Sequence, residues 1–380
     1  MRVLYDGWPL VRNPISPGSL HLLAILENLP DDIEPIVAFP EEKPDWVGDI
    51  LPDIQPTPNT PSGRLRWEQI QIPSLARKIK VKLLHLTTPS PPLVGNLVTL
   101  ISPSDFGAGI GGWSGVESSS RKPVQFLTRL RWSLAQGGMA QVKEILWPLD
   151  LPGTKLSGRL VRLPPIVPHH FIPGADGQLP STGKRSNSLA EQVAMLVLPE
   201  SFILYHGPGD RRNLMQLLQA WSWAEAAIGA SFPLLVIGLD RPAEETYAEL
   251  VEEYELGDDQ RVLQDVKPDL LPYLYQGCAA VFHPAPTSPW CGAVRLALAC
   301  GKPLVAGENA MTDAIAGPAA YLVDKEDARA LGAALVTVAV EEQVAESLSA
   351  AAFQRSENWI SPGFGEKLLE RYRNILMESG

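Results

Sequence analysis

Cysteine is nearly absent: Cys278, Cys291 and Cys300 are the only three in the chain. An odd, sparse set confined to the last third supports no disulfide framework, and its spacing is not that of a zinc site. A reducing, cytoplasmic setting is the expectation. Histidine is also scarce, with six residues and no His-x-x-x-His pair, so no metal centre is expected. No apolar run approaches the roughly 18 residues that a membrane span needs. The first residues go straight into a strand, without the basic segment, apolar segment and cleavage site of a secretory leader, so none is expected. Positive charge is short as well. The net charge is −11, and the excess acid falls in residues 179–380, while residues 1–178 are close to neutral. Such a chain is a poor partner for nucleic acid, and none is expected.

What the chain has is length and alternation. Its 380 residues, 45% hydrophobic and 20% charged, exceed one ordinary core, so two domains are expected. In the first half, strands are expected at 1–5, 36–39, 83–86, 98–101 and 160–163. Helices are expected from Ser19 to about Asn28, over 65–79 with Pro73 interrupting, and over 126–136. Residues 13–18 read as a breaker-rich loop, 40–63 as a connection and 102–120 as a Gly- and Ser-rich loop, functional or mobile. The second half restarts the pattern, with strands at 202–205, 233–237, 261–263, 279–282, 303–306 and 320–323. Helices are expected at 214–227, 243–254, 270–276, 292–300, 311–315, 326–354 and 362–377. Helical connections between strands make this an α/β chain of two doubly wound, Rossmann-like domains. The expected division is 1–178, a linker over 179–198, then 199–361, with the final helix over 362–380.

The stretch 288–303, S-P-W-C-G-A-V-R-L-A-L-A-C-G-K-P, is the first place to look for function. It is a loop after a strand, then an apolar helix stopped by Gly301 with Pro303 behind it. In a doubly wound sheet, ligands sit at the carboxyl ends of strands. The helix start at Gly292, Ala293 and Val294 offers backbone N–H groups to an anion, though any helix start does so. The loop 206–213, H-G-P-G-D-R-R-N, places Arg211 and Arg212 at a helix start, a combination that suits phosphate. The loop S-P-G-S at 16–19 is a ligand loop or a plain turn, and it is not a dinucleotide fingerprint. His85, His206 and His283 each close a strand, as bases or as hydrogen-bonded structural groups. No phosphate-binding Walker loop, H-E-x-x-H or serine elbow is present. The basic run R-K-I-K-V-K at 77–82, with Arg121, Lys122, Arg129 and Arg131, reads best as a solvated face. The alternative is a peripheral contact with anionic lipid at the inner face of a membrane.

The motifs F-I-L-Y, G-P-G-D-R-R-N-L, L-L-V-I-G, A-V-F-H-P-A, A-V-R-L-A-L-A-C-G-K-P-L-V-A and A-Y-L-V-D follow one another in the order of family 4 glycosyltransferases. Over 200–340 the chain resembles that family, which has the GT-B fold. The resemblance implies two domains facing across a cleft and a retaining, metal-independent transferase without a cofactor. Its substrates would be a nucleotide-diphosphate sugar and a glycan or lipid-linked acceptor, and the final helix would return to the first domain. It places the diphosphate on Arg211, Arg212, Gly292, Ala293 and Val294. Loops carrying Gly18, Ser19, His206, Gly207, Ser288 and Leu296 would line the donor site. The family's Glu-x7-Glu pair falls on Ser288 and Leu296, which carry no carboxylate. Its N-terminal histidine falls near 102–105, where Asp105 is the nearest ionisable group, so His85 and Asp105 are the acceptor-side candidates. Two readings stay open: an active transferase with a divergent donor site, and a catalytically inactive GT-B protein that binds a ligand or partner.

Overall fold

The computed structural model describes residues 1–48, 50, 52–95, 97–104, 124–149, 159–172, 196–359 and 363–378. The chain divides into two units, Met1–Ile166 with Ser361–Gly380, and Val167–Ile360. The second unit therefore takes residues from Val167 onward, and most of the expected linker lies outside the described residues. The final helix, Phe364–Glu378, is part of the first unit. Among the described residues, no helix is long and apolar enough to cross a membrane.

The first unit holds a seven-stranded sheet in the order β3-β2-β1-β4-β5-β6-β7. Its strands are β1 (Arg2–Asp6), β2 (Glu34–Phe39), β3 (Pro52–Ile54), β4 (Leu83–Leu86), β5 (Val98–Ile101), β6 (Val142–Trp147) and β7 (Leu160–Arg162). The second unit holds a six-stranded sheet in the order β10-β9-β8-β11-β12-β13. Those strands are β8 (Ile203–His206), β9 (Leu234–Ile237), β10 (Gln260–Leu263), β11 (Ala280–His283), β12 (Leu304–Gly307) and β13 (Tyr321–Val323). All pairings in both sheets are parallel. Helices cover such sheets on both faces, so inner strands read as unbroken apolar runs. L-L-H-L in β4 and A-V-F-H in β11 are buried at every position.

Helices begin earlier than their apolar periodicity implies, because polar caps precede the apolar faces. Ser16 accepts a hydrogen bond from the Ser19 amide, so Pro17 and Gly18 form the first turn of the helix Pro17–Glu27. Proline is tolerated there because the first helical N–H has no partner to lose. Asp210 caps the helix Arg211–Ile228, and Asp240 caps Arg241–Glu253. The expected helix over 65–79 starts at Pro61 and contains a π-turn at Trp67–Gln71 before continuing as Ile72–Lys78. Pro73 cannot donate to the carbonyl four residues earlier, and the wider turn accommodates it. The expected helix over 326–354 is two helices, Ala328–Val340 and Glu342–Ser356, separated by an extended Glu341.

Candidate functional site

The direction of strand succession in the second sheet reverses between β8 and β11. In a parallel sheet, the crevice outside the carboxyl ends at such a reversal is where ligands bind. Both strands end in histidine. Ala280 pairs with Ile203 and Val281 with Leu204, and continuing this register sets His283 beside His206. Both imidazoles are buried. His206 Nδ1 meets the Tyr275 hydroxyl at 2.9 Å. His283 Nε2 lies 3.3 Å from the Pro286 carbonyl. A carbonyl only accepts, so Nε2 carries the proton there. Burial pushes the His283 pKa down to about 4, so the ring is neutral at physiological pH.

The loop leaving β8 is shaped by packing. The Tyr205 hydroxyl donates to the Pro208 carbonyl at 2.9 Å. A Cβ on Gly207 would fall 2.6 Å from the Tyr205 ring, so only glycine fits beside it. Arg211 and Arg212 occupy the first turn of the following helix, and carboxylates already hold their guanidinium groups. Arg211 pairs with Glu249 at 3.3 Å and Glu253 at 3.0 Å, and Arg212 pairs with Glu326 at 3.4 Å. All five side chains are well exposed, so water and salt screen these pairs and an anionic ligand can compete for them.

The loop leaving β11 doubles back on itself. The Ser288 hydroxyl accepts from the Trp290 amide at 3.3 Å. A Cβ on Gly292 would lie 2.7 Å from the Ser288 amide nitrogen and 2.7 Å from Thr287 Oγ1. The helix Ala293–Ala299 that follows is buried on all sides, and Leu296 belongs to the core. Arg295 is 1% exposed. Its Nε and Nη2 both donate to the Pro289 carbonyl, at 3.2 and 2.8 Å, and its guanidinium lies 4.4 Å from the centre of the Trp359 ring. Burial pushes its pKa down to about 9. One arginine thus ties the loop to its own helix and to the last described turn before the chain crosses to the first unit.

The first sheet reverses between β1 and β4. Tyr5 pairs with His85 across that point, and both belong to a buried hydrogen-bonded chain. His21 and His85 meet the Ser102 hydroxyl at 2.9 and 2.8 Å, His85 Nδ1 meets the Tyr372 hydroxyl at 2.5 Å, and Tyr372 meets Tyr5 at 3.0 Å. Burial drives the His85 pKa down to about 3. His85 is therefore a neutral, enclosed group that anchors the final helix through Tyr372. Gly18 packs closely against the β4 and β5 ends: its carbonyl accepts from Thr87 at 2.9 Å, and a Cβ there would fall 3.0 Å from Ser104 Oγ. Ser19 is fully buried beside it. Asp105 lies outside the described residues.

A charged cluster at the carboxyl end of β1 was not anticipated. Asp6 accepts from the Trp67 indole at 2.7 Å and pairs with Arg64 at 3.3 Å. Glu68, in the π-turn, pairs with Arg64 at 2.6 Å and with Arg131 at 2.8 Å. Arg131 also donates to Ser90 at 3.0 Å, so its charge is spent within the fold and not on a basic outer face. The only sequence signal was Arg64 and Glu68 four apart on one helical face. Among the described residues, no group of three or more His, Cys, Asp or Glu is arranged to hold a metal ion.

The model of the family described as Glycosyl transferases group 1 matches residues 198–355. The matched stretch lies within the second unit, Val167–Ile360. The whole chain has the GT-B fold of these glycosyltransferases. It superimposes on a sucrose-phosphate synthase from Thermosynechococcus elongatus with a TM-score of 0.67 at 16% identity, covering 100% of both chains. HepE from Anabaena, solved with UDP and glucose, gives a TM-score of 0.67 at 14% identity, covering 98% of this chain and 99% of HepE. WaaG, a glycosyltransferase of lipopolysaccharide biosynthesis, gives 0.64 at 12% identity, covering 97% and 99%. No curated protein matches the chain in sequence. In the second unit, the positions singled out in sequence gather at the carboxyl ends of β8 and β11, with one exception. Leu296 is sealed in the core, where its side chain has no contact with solvent.

Proposed function

We propose that this glycosyltransferase moves a sugar, with retention, from a nucleotide-diphosphate donor to a glycan or lipid-linked acceptor. The observation that carries the reading is the family-matched unit with its buried loop and helix intact at the β8–β11 reversal. HepE, of the same fold, was solved with UDP-glucose, which makes UDP-glucose the first donor to try. The exposed pairs of Arg211 and Arg212 would exchange their carboxylates for the diphosphate, with the amides of Gly292, Ala293 and Val294 beside it. The loops of Gly18, Ser19, His206, Gly207 and Ser288 would frame the donor, and His85 and Asp105 belong to the acceptor side. No metal is required by this reading.

A panel of nucleotide diphosphates and their sugars, read by thermal shift, tests it. A ligand at 100 times its dissociation constant adds about 2.7 kcal/mol of stability. Donor binding predicts such a shift for at least one nucleotide, abolished by the joint change of Arg211 and Arg212 to Ala. Silence across the panel would sink the donor reading.

One observation favours an inactive binding protein instead. Leu296 is enclosed, and Ser288 turns its hydroxyl to its own loop, so neither supplies a carboxylate to the donor. Donor hydrolysis, assayed beside binding, separates the two: binding without turnover supports the inactive reading. Lys78, Lys80 and Lys82 are exposed, and such a basic run suits anionic lipid at a membrane face. Co-sedimentation with phosphatidylserine vesicles, against phosphatidylcholine alone, decides that part.

A further inference from the structure

Two buried polar atoms at the β8–β11 reversal have no partner among the described residues. One is His283 Nδ1 and the other is Thr287 Oγ1. Buried polar atoms in native structures are nearly always hydrogen-bonded, so two orphans four residues apart at one strand end call for an explanation. Their chemistry is specific. His283 Nε2 holds its proton toward the Pro286 carbonyl, so in the neutral ring Nδ1 is a bare acceptor. Thr287 offers a hydroxyl that both donates and accepts. An acceptor nitrogen repels phosphate oxygens, and a neutral ring gives them no charge to pair with. A hydroxyl fits: it donates to Nδ1 and accepts from Thr287. The stacking of His283 near Tyr205, with ring centres 6.1 Å apart, leaves the imidazole little freedom to turn elsewhere.

We infer that His283 and Thr287 form a hydroxyl-reading subsite, which takes a sugar-ring hydroxyl of the nucleotide-sugar donor. The inference rests on the donor reading above and adds a polar contact that the carboxylate-free positions 288 and 296 do not supply. Both atoms are buried, and Thr287 Oγ1 lies so near Gly292 that a Cβ there would fall 2.7 Å from it. In the free protein the pair is a standing cost, and a ligand hydroxyl relieves it.

That asymmetry gives the test. Thr287→Val keeps the shape and removes an unpaired hydroxyl. His283→Gln keeps a donor toward Pro286 and removes the Nδ1 acceptor. Melting temperature and affinity for UDP and UDP-glucose are measured for both variants and wild type, by thermal shift and calorimetry. The expected result is a melting temperature that holds or rises in Thr287→Val, with affinity at least fivefold weaker in both variants. A loss for UDP-glucose alone assigns the hydroxyl to the transferred sugar, and an equal loss for UDP assigns it to the ribose. Unchanged affinity in both variants overturns the subsite, as does a weakening that only accompanies a fall in melting temperature. A wild type that binds no nucleotide defeats the donor reading itself, and the subsite with it. A wild type that binds while the variants match it defeats the subsite alone.

Discussion

Arg295 shows how a single residue can join a loop to a fold. Its fork grips one carbonyl, and its flat face covers Trp359, with no carboxylate partner among the described residues. Arg295→Ala removes both contacts and leaves a cavity, so urea denaturation should show a loss of about 3 kcal/mol or more. Arg295→Met fills the space and removes a desolvated charge, and it should stay within about 1 kcal/mol of wild type, because an apolar side chain of similar volume often replaces a buried charge without loss. The buried histidines set a pH dependence. His85 and His283 are neutral when folded, with pKa values near 3 and 4, against about 6.5 in the unfolded chain. Between about pH 6.5 and 4 the unfolded state binds more protons, so stability is fully present above pH 6.5 and falls as the pH drops. Each histidine adds a slope of about 1.4 kcal/mol per pH unit. Melting temperatures from pH 8 to pH 4 should show this fall, and His85→Gln should flatten it. At this scale the sequence told half the story. It marked His85, His206 and His283 as strand-end groups, but which of their atoms lacked partners depended on residues that only the fold brings near.

Among the elements, the strands were the easiest to read, because an inner strand of a parallel sheet is apolar on both faces. The helix starts were harder: capping residues and proline at the first turn resemble a loop. The π-turn at Trp67–Gln71 had only Pro73 to announce it. The cluster it supports joins Asp6, Arg64, Glu68 and Arg131, and no local pattern links residues so far apart. The helix stop at Gly301 was legible and is strict. Gly301 has φ +65°, and a Cβ there would fall 2.3 Å from the Phe353 ring. Gly301→Ala combines left-handed strain with that collision, and a loss of about 1–3 kcal/mol is expected in denaturation, whereas the same change at the open Gly48 should cost little. Gly301→Ala should also loosen the preceding helix, seen as faster amide exchange over residues 293–299. Equal exchange in the two proteins would show that Phe353 simply moves aside.

Across the whole molecule, the two units have separate apolar cores. One is built around Trp67, Leu84 and Ile101, and the other around Trp221, Val236 and Phe282. The final helix crosses sequence order to join the first, burying Phe364, Leu368, Tyr372 and Ile375. Alternation underlies the expectation of two domains, and the family resemblance that of a returning helix; residues 167–172, which read in sequence as a Pro-dense continuation of the first half, fall in the second unit. Removing residues 364–380 takes the Tyr372 hydroxyl from His85 and Tyr5 and exposes the apolar surface beneath the helix. Buried groups left unpaired cost about 1–3 kcal/mol each, before any packing loss. Calorimetry of the truncated chain should therefore lower the transition of the first unit. A nucleotide bound at the β8–β11 reversal should raise the transition of the second unit in both the full and the truncated chain. If the ligand raises the first unit's transition and leaves the second in place, the binding site lies at the β1–β4 reversal instead.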